Sequence, residues 1–248
     1  MRIYVIAIIG FIGAALVFLI MFVGSSDVSP PPALTVPQPH AYDNPVELTA
    51  DIQVTAVYFV PQGATPVPTE VWHTLLEREL ARLQKFHDVQ FRGSSRVTYT
   101  IHPQAVVGRE THAAYDINLL QHNDPQVLRP VAEEILDGLK ISLDTASPYK
   151  ILLVLYEGVG AGGSKHVALL SRIFFERSDT RDVASTFFAH EFYHALGVPD
   201  GYRTAKKVFP DGLEVDVELI QSRDIMGRVR VPLEEAYLSP ETLTALGI

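Results

Sequence analysis

The sequence predicts an α+β domain, a mixed sheet flanked by helices, on three observations. Short segments rich in β-branched and aromatic residues alternate with segments of helical periodicity. One of these segments, "YKILLVLYE" at 149–157, is apolar almost throughout, the pattern of a strand covered on both faces. Finally, 47% of the 248 residues are hydrophobic, enough for one well-buried domain or two small subdomains sharing a cleft.

Composition also excludes some functions. The formal charge is -9 and no block of Lys or Arg occurs, so the electrostatic footprint of a nucleic-acid binder is missing. There is no cysteine, which removes disulfides, thiol catalysis and every cysteine-ligated metal site.

The elements follow in order. Residues 3–23, "IYVIAIIGFIGAALVFLIMFV", form an uncharged run long enough to span a bilayer, which takes about 20 apolar residues. Arg2 before the run and Asp27 after it predict a cytoplasmic N-terminus and an exported remainder, so residues 1–24 read as a single-pass membrane anchor. The competing reading is a secretory signal peptide cleaved near "VGSS", with the rest secreted; signal cores of about 7–15 residues are shorter than this run and favour the anchor. Residues 25–46 are proline-rich and read as a semi-rigid linker, and the folded domain is expected to run from 47 to 248.

Within that domain, "ADIQVTAVYFV" (50–60) and "SRVTYTIH" (95–102) read as strands. "TEVWHTLLERELARLQKF" (69–86) places Trp72, Leu75, Leu76, Leu80 and Leu83 on one helical face, and "VLRPVAEEILDGLKI" (127–141) is helical with Pro130 near its start. The glycines of "GVGAGG" (158–163) do not make a phosphate loop, because "GGSK" reverses the required Gly-Lys-Ser/Thr order and no helical pattern follows. They read as a flexible loop feeding a strand at His166–Ser171. "RDVASTFFAHEFYHALG" (181–197) is helical, and "LEVDVELI" alternates strictly, which puts Glu214, Asp216 and Glu218 on the solvated face of a strand.

The chemistry centres on "HEFYHALGVPD", residues 190–200. Residues four apart on an α-helix lie about 6 Å apart along the axis on one face, so His190 and His194 can grip one ion. A catalytic zinc takes three protein ligands and keeps a fourth position for water, so a third ligand is required. An unbroken helix would carry residue 200 about 15 Å from His190. Gly197 can cap the helix in a left-handed conformation and Pro199 cannot continue it, so a reversal there can bring Asp200 back beneath the histidines. The bland alternative is a satisfied core helix followed by a Pro-Asp-Gly turn. Against it, a shuffled chain holds H-E-x-x-H with a probability of roughly 0.02, and the longer string with Gly and Asp or His on the order of one in ten thousand.

This string resembles the metzincin zinc peptidases, in the form whose third ligand is aspartate, as in the snapalysin type. "SRDIMGR" supplies Met226 in a setting similar to the family's methionine turn beneath the metal, and "AYLSPETLTALGI" resembles the wall and closing helix that follow it. Alone, Met226 would read as core filler. The resemblance implies a zincin fold with a backing helix, an active-site helix and a small C-terminal subdomain, dividing the domain near 197/198. It implies one catalytic Zn2+ on His190, His194 and Asp200, and Tyr237 on the wall of the specificity pocket. The chain departs at Arg228, where some members carry a metal-visiting tyrosine. Another zincin branch takes a downstream glutamate as third ligand; Glu214 and Glu218 lie at a suitable distance, but on a strand rather than a helix.

Glu191, beside the first ligand, is the expected general base. An extended substrate needs a sheet edge to pair with, and the candidate is "HVALLS", with His166, Val167, Ala168 and Leu169 as binding residues. The expected function is a membrane-tethered extracytoplasmic zinc metalloendopeptidase acting on protein or peptide substrates; the alternative is a catalytically inactive zinc-binding recognition module on a membrane stalk.

Overall fold

The computed structural model describes residues 38–115, 125–144, 147–201, 204–208, 214–218, 223–227 and 231–248. The apolar run 3–23, most of the proline-rich segment and Arg228 lie outside the described residues. Among the described residues no helix is long and apolar enough to cross a membrane.

The described residues form a mixed α/β fold around a main sheet of six strands. Strands β3 (Asp51–Val60), β4 (Arg96–Ile101), β6 (Tyr149–Tyr156) and β8 (Val167–Ser171) run parallel, and β7 (Ala161–Ser164) closes one edge antiparallel to β8. Across the sheet the order is β4-β3-β6-β8-β7, with the short β5 (Val106–Val107) continuing the β4 side of β3. Parallel strands need covered faces, and the period of two in β6 sorts its residues accordingly. Ile151, Leu153 and Leu155 enter a cluster with helix α1 (Thr69–Phe91) and helix α4 (Ala184–Ala195), while Leu152, Val154 and Tyr156 enter a second cluster with helix α3 (Pro125–Leu139). A one-turn helix α2 (His112–Tyr115) adds Tyr115 to that second face.

Helix α1 runs to Phe91 rather than Phe86, because His87 and Phe91 continue the buried stripe begun by Trp72, Leu76, Leu80 and Leu83. It stops where Arg92 and Gly93 both take positive φ, 51° and 78°.

Three expectations change. The glycine-rich stretch is loop only over 158–160: Ala161–Ser164 is strand β7, forming a hairpin with β8 through Lys165 and His166. The edge expected at residues 166–171 therefore belongs to β7, and Val167, Ala168 and Leu169 are buried inside the sheet. The domain also begins earlier than residue 47. Strands β1 (His40–Ala41) and β2 (Asn44–Leu48) form a hairpin, with His40 donating to the Leu246 carbonyl at 2.9 Å and Tyr42 to the Leu196 carbonyl at 3.0 Å. One compact unit spans Pro37–Ile248, and a single apolar cluster contains Ala41, Leu196, Val198 and Leu246, so the chain on either side of 197 shares one core.

After α4 come an antiparallel pair, β9 (Thr204–Val208) and β10 (Glu214–Glu218), and a terminal helix α5 (Pro240–Ala245). Strand β10 is the one that the alternation of "LEVDVELI" predicts.

Candidate metal centre

Helix α4 carries the histidine motif through the middle of the molecule. Ala184, Phe188, Ala189, Phe192, Tyr193 and Ala195 are all buried, which fixes the rotation of the helix and leaves His190, Glu191 and His194 on one side. The helix ends in a Schellman motif: the Gly197 N–H donates to the His194 carbonyl at 2.8 Å and the Val198 N–H to the Tyr193 carbonyl at 3.2 Å. Gly197 has φ +85°, the left-handed conformation that favours glycine, and a Cβ on it would require the exposed Asp43 side chain to move aside. The reversal expected from the sequence is thus present.

It returns Asp200 to the histidines. Asp200 Oδ1 lies 3.3 Å from His190 Nε2 and 3.3 Å from His194 Nε2, and the two nitrogens are 3.0 Å apart. The three side chains are only 16%, 7% and 10% exposed for His190, His194 and Asp200. His190, Glu191 and His194 also form a group able to hold a metal ion, each offering an atom within 4.8 Å of the others. Of the two carboxylates, Asp200 makes the tighter approach to the imidazoles.

The far ring nitrogens set the tautomers. His190 Nδ1 faces the Ile225 carbonyl at 2.7 Å and His194 Nδ1 the Val198 carbonyl at 2.7 Å. A carbonyl only accepts, so both Nδ1 atoms carry the hydrogen, an assignment made from the hydrogen-bond network. Both Nε2 atoms are then left as lone-pair donors aimed at one another, an arrangement that calls for a cation between them. Burial pulls the His190 pKa down, but Asp200, Glu191 and the Ile225 carbonyl together push it up to about 9. Glu191 is raised as well, first by burial and then by Asp200, with both imidazoles opposing.

Two neighbouring segments hold this arrangement. Gly163 of β7 lies so near α4 that a Cβ there would be 2.4 Å from the Glu191 carbonyl oxygen and 2.4 Å from His194 Cβ. Beneath the site, Asp224–Gly227 forms a turn closed by the Gly227 N–H to the Asp224 carbonyl at 2.8 Å. Met226, at its centre, is fully buried. Its carbonyl accepts from the Gly201 N–H at 2.8 Å, next to Asp200.

The other candidate residues are placed elsewhere. His166 sits in the β7–β8 turn with φ +68°, stacked on Tyr149 at 4.4 Å, with Nδ1 2.8 Å from the Lys150 carbonyl oxygen. Its N–H and the Tyr149 hydroxyl both donate to the Ala195 carbonyl, so its service is to finish the end of α4. Val167, Ala168 and Leu169 are buried in β8, with β7 paired on the edge beyond them. Tyr237 is 41% exposed and holds the Asp224–Gly227 turn through its backbone, its carbonyl accepting from the Ile225 N–H at 2.8 Å.

The histidine spacing points to neither Gly163 nor Asp224. For Asp224 a local signal exists: in "DIMG", Asp at the first position of a turn and Gly at the fourth match the preferences of a type I turn. No protein-family model matches the chain, and no curated protein matches it either.

Proposed function

We propose that the chain is a zinc-dependent endopeptidase of the metzincin kind, held at the outer face of a membrane by residues 3–23. The observation that carries this reading is the triangle of His190 Nε2, His194 Nε2 and Asp200 Oδ1, with edges of 3.0, 3.3 and 3.3 Å. A tetrahedral zinc with ligands at about 2.0–2.1 Å requires ligand atoms about 3.3 Å apart, so the donor set fits the ion. When bound, zinc supplies Lewis acidity, lowering the pKa of a coordinated water and polarising a carbonyl.

The residues divide the remaining work. His190 and His194 bind through Nε2 and are aimed by the carbonyls of Ile225 and Val198. Asp200 is the third ligand and offsets one unit of the cation's charge. Glu191, buried beside the first ligand, would accept a proton from the attacking water and deliver it to the departing amine nitrogen. The outer side of β7 offers an extended peptide a strand to pair with, and Gly163 places that strand against His194. The uncharged run at 3–23 and the preceding Arg2 support the membrane assignment.

The test is zinc content together with hydrolysis of casein or a peptide library. Wild type is expected to hold one zinc per chain and to cleave. Glu191→Ala is expected to keep the zinc and lose at least about a hundredfold in turnover. Unchanged turnover would exclude Glu191 as the base, and zinc without hydrolysis in the wild type would leave a zinc-binding recognition module.

A further inference from the structure

We infer that Asp224 is a positioning residue for the metal centre, acting through the turn that orients two of its ligands; this rests on reading His190, His194 and Asp200 as a metal site. The carboxylate is buried, 5% exposed, and is fully engaged with backbone and hydroxyl donors. Its Oδ1 accepts from the Met226 N–H at 2.7 Å. Its Oδ2 accepts from the Ser239 N–H at 2.8 Å and from the Thr242 hydroxyl at 3.2 Å, both at the start of α5. One side chain therefore ties the turn Asp224–Gly227 to the terminal helix.

What the turn does with its own carbonyls gives the tie its consequence. Ile225, the next residue, accepts from His190 Nδ1 at 2.7 Å and so fixes that ring's tautomer and direction. Met226 accepts from the Gly201 N–H at 2.8 Å and so holds the segment that carries Asp200. Two ligands from different parts of the chain, His190 on α4 and Asp200 beyond the Gly197 reversal, are referenced to one turn. That turn is referenced to the fold by Asp224. A ligand set must be held within about 0.5 Å of its productive geometry, and partners one step behind the ligands typically carry 10–100-fold in metal affinity.

Asp224→Asn keeps the size of the side chain. If its carbonyl oxygen faces the Met226 N–H, its NH2 group opposes the Ser239 N–H, donor against donor; the flipped amide sets it against the Met226 N–H instead. Thr242→Val is the milder variant, deleting a hydroxyl that donates to the same carboxylate and contacts Ser239 Oγ at 3.1 Å, in a residue that is not itself a ligand. The experiment measures zinc affinity by competition with a chromophoric chelator, and the visible spectrum of the cobalt(II)-substituted full chain, for wild type, both variants and His190→Ala. Asp224→Asn is expected to lose 10–100-fold in affinity with a shifted cobalt spectrum. Thr242→Val should lose a smaller factor in the same direction, and this arm decides the matter if Asp224→Asn fails to fold. A purely structural role would lower the melting temperature of the metal-free chain and leave the cobalt spectrum of the folded protein unmoved. Wild-type affinity and spectrum in both variants, with His190→Ala losing the ion, would overturn the positioning role and leave the metal centre standing. Wild type that takes up neither ion would overturn the metal reading itself, and the positioning role with it.

Discussion

The smallest residue near the site carries one of its tightest constraints. Gly163 lies where β7 meets α4, and any Cβ would collide with backbone at Glu191 and with His194 Cβ, both at 2.4 Å, neither of which is the free end of a flexible chain. Gly163→Val is therefore expected to push α4 from the sheet edge, at a cost of about 1–3 kcal/mol in stability. It should also weaken zinc binding by more than tenfold, because His194 moves relative to Asp200. Chelator competition and thermal unfolding check both, and undiminished affinity at an unchanged melting temperature would contradict the close approach. The residues of the motif were legible because their reasons are local: the four-residue spacing of His190 and His194, a glycine that can take positive φ, and a proline that stops the helix. Gly163 was not, because its reason lies across space in α4, and of Asp224 only the turn position was, because its partners Ser239 and Thr242 lie elsewhere in the chain.

At the scale of elements, the strands and helices with their own periodicity were legible, and those made by their partners were not. Strand β6 and helix α1 announce themselves by apolar pattern, whereas β7 is Ala-Gly-Gly-Ser, weak in β propensity, and is a strand because β8 pairs with it. The same holds for β1 and β2, whose proline-rich surroundings read as linker but which are tied to Leu196 and Leu246. Helices α1 and α4 are joined through a buried polar network centred on His87. Its Nδ1 lies 3.2 Å from the Tyr193 hydroxyl and its Nε2 2.9 Å from Ser95 Oγ, and its ring stacks on Phe91 at 4.0 Å. Burial lowers the His87 pKa from 6.5 to about 3. The unfolded chain thus binds a proton below 6.5 that the folded chain refuses until about 3. The stability this neutral histidine protects is fully present above 6.5 and is lost as pH falls across that window, at ~1.4 kcal/mol per pH unit. Urea unfolding between pH 6.5 and 4 should show wild type losing stability faster than His87→Gln by that slope. Parallel slopes would mean that His87 is charged in the folded protein.

Across the whole molecule, one sheet with helices on both faces holds the histidine helix against its antiparallel edge and wraps the N-terminal hairpin beneath the reversal at Gly197. The class of fold was legible from the alternation of elements, and the place of residues 40–48 in the domain was not, since it depends on hydrogen bonds to Leu196 and Leu246. This architecture brings His190 Nε2, His194 Nε2 and an Asp200 carboxylate oxygen together beside the edge strand β7, which supports the proposed peptidase reading. The convergence of the donors on zinc is the claim from which the rest follows. Anomalous diffraction at the zinc absorption edge, from crystals of the zinc-loaded protein, tests it most directly. The account predicts a single peak about 2.0–2.2 Å from His190 Nε2, His194 Nε2 and an Asp200 carboxylate oxygen. A peak bound by the histidines with Asp200 turned away, or no peak at these residues, would contradict it.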